Sequence, residues 1–139
     1  MSVFPFMATP VTVTKSLPLL EEWAFDFETG RLLVVDGQMR RVTGLDALKV
    51  WMYKALCTAK GRFHSYTASF GSDLEKLVGS TYSPAAARAE AQRMVTEALM
   101  VSPYISAVVR VEAALEGMQL AVKCSVETVY GSASLEVKV

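Results

Sequence analysis

Four carboxylates fall close together near the start of the chain: Glu21, Glu22, Asp26 and Glu28. Glycoside hydrolysis needs two carboxyl groups placed across a sugar bond, one of them with a raised pKa, so a small hydrolase would keep its acid and base here. The segment also carries alternating Trp23, Phe25 and Phe27, and beside them the carboxylates read as a solvated polar face. His64 is the only histidine, and Cys57 lies seven residues before it. A thiol with a neighbouring base could act as a nucleophile, but Cys57 ends an apolar helical pattern and no motif surrounds either residue. One histidine and two separated cysteines do not close a tetrahedral zinc site without carboxylate help. Gly71-Ser72 precedes a helical pattern whose amino terminus could hold an anion. Without a glycine-rich cradle or a suitably spaced lysine, Ser72 reads as a helix cap. The residues thus predict no catalytic group, no metal and no cofactor, and Trp23 and Trp51 read as core.

Composition narrows the classes further. The chain has 139 residues, 52 % of them apolar and 20 % charged, with 14 basic side chains balancing 14 acidic ones. Zero net charge gives no general attraction to nucleic acid or to an anionic membrane surface. The aliphatic run Leu32 to Val35 falls far short of the roughly 20 residues a spanning helix needs. Pro5 and Pro10 interrupt an amino terminus that lacks a basic start, so no secretory signal is expected. Cys57 and Cys124 both sit in apolar patterns and read as reduced thiols of a cytoplasmic product.

The elements follow from periodicity. Residues 1–20 contain Pro5, Pro10 and Pro18 among Phe4, Phe6, Val11, Val13 and Leu17, with no regular period, and read as an extended arm. A single domain is expected over 21–139. Arg31 to Val35, Asp36-Gly37 and Gln38 to Val42 read as a β-hairpin, because a tight primed turn needs positive φ. Thr43 to Asp46 forms a weak capping box ahead of a helix ending near Cys57, with Leu45, Leu48, Met52, Ala55 and Leu56 on one face. Residues 58 to 70 read as a loop and a short strand. Ser72 to Glu75 forms a stronger capping box before a short helix ending at Gly79. Ser83-Pro84 then caps a helix running to about Val101, with Arg93 and Glu97 on its wet face and Pro103 ending it.

A meander closes the chain. Val109, Val111, Ala113 and Leu115 alternate, Glu116-Gly117 turns, and Leu120, Val122, Cys124 and Val126 alternate. After the turn at Tyr130-Gly131-Ser132 the last residues read Ser-Leu-Glu-Val-Lys-Val. Leu135, Val137 and Val139 share one face, Glu136 and Lys138 the other. The predicted class is α+β: an extended arm and hairpin, then two to three helices packed on a carboxy-terminal antiparallel meander. A terminal strand with an uncovered edge is a template for another chain's backbone, which points to assembly.

Several short motifs occur in a set order. They are Trp23-x-Phe25-Asp26, Val42-x-Gly44-x-x-Ala47-x-x-x-Trp51, Leu56-x-Thr58, Tyr66-x-x-x-Phe70-Gly71-x-x-Leu74 and Ser102-Pro103-Tyr104-Ile105. This order, over about residues 20–139, resembles the small baseplate proteins of contractile phage tails, the wedge or sheath-initiator family, which also occurs in defective prophages and tail-like bacteriocins. The resemblance implies a non-enzymatic component of the virion tail baseplate, assembled in the host bacterial cytoplasm. It implies a sheet that accepts strands from the first ring of sheath subunits, so that Leu135, Glu136, Val137, Lys138 and Val139 would meet the tail sheath subunit. Phe4, Phe6, Pro103 and Tyr104 would meet baseplate wedge, tail tube or hub proteins, with six copies in a ring. One branch of the family carries Glu-Pro-Arg where this chain has Ser102-Pro103-Tyr104, so only Pro103 carries over. The competing readings are a small peptidoglycan hydrolase carried on the tail, using the early carboxylates, and a cellular protein-binding adaptor.

Overall fold

The structure is a computed structural model and describes residues 17–59, 70–78, 82–116 and 118–139. Its class is α+β. Six short strands come first: β1 (Glu21–Trp23), β2 (Phe25–Asp26), β3 (Arg31–Leu32), β4 (Val34–Val35), β5 (Gln38–Met39) and β6 (Arg41–Thr43). After them come α1 (Gly44–Cys57), a 3₁₀ turn (Leu74–Leu77), α2 (Pro84–Leu99) and the meander β7 (Ile105–Glu116), β8 (Gln119–Thr128) and β9 (Gly131–Lys138).

The expected hairpin is only its tip. Asp36 and Gly37 both take positive φ, 54° and 75°, as a primed turn demands, but only β4 and β5 pair across it. Arg31–Leu32 pairs instead with Phe25–Asp26, and Arg41–Thr43 with Glu21–Trp23. Three short ladders therefore meet at Ala24, which donates its N–H to Arg40 and accepts one from Leu33. Ala24 is buried there, where a larger side chain would hold the ladders apart. Trp23 departs from the core role expected of it. It is 39 % exposed, with the Arg41 guanidinium 4.8 Å from its ring centre, a cation–π placement that keeps the charge in water.

Helix α1 starts without the expected cap. Thr43 has extended backbone but makes no side-chain cap bond. Gly44 turns the chain at φ +64°, a conformation that costs glycine least. Ser72 also departs from its expected role. Its hydroxyl donates to the Leu56 carbonyl at 2.8 Å and its N–H to the Thr58 carbonyl. It therefore closes the carboxy-terminal end of α1, whose last carbonyls lack helical partners. The segment after it is a 3₁₀ turn over Leu74–Leu77, and the expected helix end at Gly79 lies outside the described residues. Ser83 behaves as expected, accepting from the Ala86 N–H with Pro84 at the first helical position. Helix α2 stops at Leu99, four residues before Pro103.

The meander is antiparallel in the order β7-β8-β9. Helix α2 packs on β7, and α1 packs on β9 and β1. Leu48, Met52 and Leu56 from α1 meet Ala91, Val95 and Leu99 from α2 over Val122, Cys124, Val126, Leu135 and Val137. Burial of Cys124 pushes its thiol up to about 11, the behaviour of an inert core group. Strand β7 breaks the predicted alternation. Its register slips between Ile105 and Ala107 and between Val108 and Arg110, so Val109 is the extra residue of a bulge and is 62 % exposed. The bulge brings Val108 and Val111 towards the core instead. Leu115, near the hairpin end, is 48 % exposed.

Strand β9 keeps perfect register with β8 from Gly131↔Thr128 to Ala121↔Lys138. Beyond it, Leu120 and Val139 exchange both backbone hydrogen bonds, at 3.0 and 2.9 Å. In an antiparallel ladder such doubly bonded pairs alternate with unbonded ones. Val137, Leu135 and Ala133 therefore bond to β8, while the N–H and C=O groups of Ser132, Ser134, Glu136 and Lys138 point to the open edge. Amide hydrogen exchange of the monomer should reproduce this alternation, with Leu135 and Val137 protected and Ser134 and Glu136 exchanging like unstructured amides. Uniform protection along β9 would contradict the open edge. Urea denaturation should rank the caps. Ser83→Ala is expected to cost about 1 kcal/mol and Ser72→Ala about 1–3 kcal/mol. Thr43→Ala should change stability by no more than a few tenths of that, since its side chain caps nothing.

Candidate assembly interface

The two edges of the meander differ in kind. The outer edge of β7 is interrupted by two bulges, a common way of blunting an edge against foreign strands. The outer edge of β9 is regular over eight residues, and among the described residues no strand pairs with it. Its side chains separate by face. Ala133, Leu135 and Val137 are buried beneath it, while Ser132, Ser134, Glu136 and Lys138 stand in solvent. On the solvent face Ser134 and Ser125 approach at 3.1 Å, and Ser132 donates to Glu127 at 2.8 Å. Lys123 lies directly across from Glu136.

A furrow of about 490 Å³ opens along the last part of this edge. Three consecutive strand residues, Glu136, Val137 and Lys138, line it. Their side chains point to both faces, so the furrow follows the backbone edge, and Gln119 of β8 lines it as well. Its far wall is Phe27, the adjoining turn and Tyr53 of α1. That wall is firm. Phe25, Phe27 and Tyr53 form a ring cluster with centroids 4.9–5.8 Å apart. Asp26 accepts the N–H groups of Glu28 and Thr29 at 2.9 and 3.4 Å. Donation by the Glu28 N–H, more than that by Thr29, holds the Asp26 carboxyl below its ordinary pKa. Gly30 passes under the Tyr53 hydroxyl, where a Cβ would sit 3.2 Å from the oxygen.

The second candidate region surrounds Pro103 and Tyr104. A pocket of about 240 Å³ is lined by Leu20, Trp51, Phe70, Val101, Pro103 and Tyr104. Pro103 is exposed, but Tyr104 already has an internal task. Its hydroxyl donates to the Pro18 carbonyl at 2.6 Å, and its ring stacks 6.0 Å from Tyr130. Tyr130 in turn accepts the Leu20 N–H at 3.1 Å. Two tyrosines thus pin the exit of the amino-terminal segment to the meander. Tyr130 read in the sequence only as part of a turn, and nothing local marked it as an anchor. Phe4 and Phe6 lie outside the described residues.

The catalytic candidates do not converge. Glu21 pairs with Arg41 at 2.7 Å and Glu22 with Lys54 at 2.8 Å, while Asp26 shapes a turn. His64 lies outside the described residues. Burial raises the Cys57 pKa, and a hydrogen bond with Tyr53 offsets only part of that rise, the opposite of what a thiolate nucleophile needs. Among the described residues no group of three metal-ligating side chains comes together, and no helix is long and apolar enough to cross a membrane.

Residues 21–131 match the family described as contractile injection system sheath initiators. That match takes in the short ladders, both helices, β7 and β8, and it ends at Gly131, the first residue of β9. The chain is also 30 % identical over 117 residues to the phage-like element PBSX protein XkdS of Bacillus subtilis (strain 168), covering 84 % of this chain and 79 % of that protein. The chain therefore belongs to the sheath initiator family of contractile injection systems, and its role is that of a structural component of a contractile tail.

Proposed function

We propose that this protein sits in the baseplate and nucleates sheath assembly by letting the first ring of sheath subunits add strands to the outer edge of β9. The observation that carries the reading is the contrast between the edges, a bulged β7 against a regular β9 whose outward N–H and C=O groups are spaced for a further strand. Strand addition of this kind draws affinity from the main chain. Leu135, Val137 and Val139 hold the strand to the core while Glu136 and Lys138 meet the incoming segment. Pro103, Tyr104 and the arm bearing Phe4 and Phe6 face wedge, tube or hub proteins, with six copies in a ring. The relative's description as part of a phage-like element supports a prophage-borne particle, with assembly in the bacterial cytoplasm as part of the same proposal. A hydrolase reading lacks support, because Glu21, Glu22 and Asp26 are engaged in ion pairs and a turn.

Removing the strand is a poor test. Leu135 and Val137 are core residues, and losing one buried aliphatic side chain already costs about 2–5 kcal/mol. Glu136→Pro is cleaner, since the N–H it deletes faces outward and proline is tolerated at strand edges. The purified variant should keep its fold by circular dichroism. Mixed with the cognate sheath subunit and viewed by electron microscopy, it should start no ordered sheath where the wild type does. Sheath growth equal to wild type from a folded Glu136→Pro protein would overturn strand addition at β9.

A further inference from the structure

We propose that the β9 edge selects its partner by charge order, taking an antiparallel segment that reads acidic, apolar, basic from its amino to its carboxy end. This rests on the strand-addition reading above and specifies the chemistry of the segment added. Across the solvent face Glu112, Lys123 and Glu136 lie directly opposite one another on β7, β8 and β9. Signs alternate along that row, so the fourth position, beside Glu136, favours Lys or Arg. The neighbouring row runs Ala114, Ala121, Lys138, so Lys138 has no acid across the sheet and the position beyond it favours Asp or Glu. Opposite charges directly across a ladder stabilise it and like charges destabilise it.

Hydrogen-bond phase fixes the rest. Glu136 and Lys138 both direct their backbone groups outward, so the residues opposite them are the doubly bonded ones and share their solvent face. The residue between, opposite Val137, turns to the inner face. There it meets the furrow walled by Tyr53 and Phe27, which suits an apolar side chain. In an antiparallel partner the residue opposite Lys138 comes first, which gives the stated order. The antiparallel direction continues the pattern of the whole meander. The turn from Phe27 to Gly30 stands across the furrow, so a single extended segment fits there better than the edge of a second domain.

The test uses two blocked seven-residue peptides of identical composition, Thr-Val-Glu-Val-Lys-Val-Thr and Thr-Val-Lys-Val-Glu-Val-Thr, titrated into the ¹⁵N-labelled full chain at low salt. The Glu-Val-Lys peptide should bind roughly fivefold more tightly, with amide shifts concentrated at Ser134, Glu136 and Lys138. Rising salt should narrow the difference. The double variant Glu136→Lys/Lys138→Glu should reverse the preference. Equal binding of both peptides at the edge would overturn charge selection while leaving strand addition intact. Tighter binding of the Lys-Val-Glu peptide by the wild type would overturn the antiparallel register, and shifts at the β7 edge or no binding of either peptide would overturn the site. If the preference and its reversal are seen while Glu136→Pro still nucleates sheath, the edge chemistry stands and the functional reading falls.

Discussion

Strand β8 is the element on which everything else rests. Its inner face carries Leu120, Val122, Cys124 and Val126 into the core beneath α1 and α2, and its two edges hold β7 and β9. Apolar side chains of this size each contribute about 1.5–3 kcal/mol on full burial, so the row fixes register firmly. A slip of one residue would turn all of them to water. Helix α2 packs on β7 and α1 on β9, and among the described residues no strand pairs with either outer edge. The fold therefore has to deal with unpaired backbone groups, and it does so differently on the two sides.

On one side the chain distorts the edge. The bulges at Ser106 and Val109 disturb the β7 ladder, and the Ser106 hydroxyl turns back to the Glu127 carbonyl. On the other side nothing is distorted. Strand β9 alternates small or aliphatic residues beneath with serine, glutamate and lysine above, in unbroken register. An edge so regular is a liability in a protein that works alone. Under the strand-addition proposal this edge is the surface that receives a strand, and its polar upper face limits promiscuous association beforehand.

The amino-terminal third acts as a bracket. The ladders meeting at Ala24, the ring cluster of Phe25, Phe27 and Tyr53, and the Glu22–Lys54 ion pair clamp residues 21–43 onto α1. The exit of the amino-terminal segment is held between Tyr104 and Tyr130. These contacts explain why several motif residues take the form they do. Gly44 supplies a positive φ and Ala47 is wholly buried, and Ser72, which lies between the motif residues Gly71 and Leu74, satisfies the end of α1. Each has a structural cause before any partner is considered.

Much of this was legible in the sequence because it depends on local physics. The primed turn at Asp36-Gly37, the Ser83-Pro84 start of α2, the helical face of α1 and the alternation of β8 and β9 are set by φ preference, capping and side-chain period. Misread features were those decided at a distance. Trp23 alternated like a core residue, yet it lies at the rim of a ladder whose partner comes from residues 41–43. Val109 alternated with Val111, yet a bulge placed by pairing with β8 turned it outward. Ser72 looked like an amino-terminal cap for the Leu74–Leu77 turn, yet it closes the helix that ended fifteen residues earlier. Periodicity by itself determined the meander and the faces of β8 and β9, because side-chain direction repeats along one chain. Only tertiary structure decided which edge stays regular and how Glu112, Lys123 and Glu136 align, because register and edge geometry are properties of strands in contact.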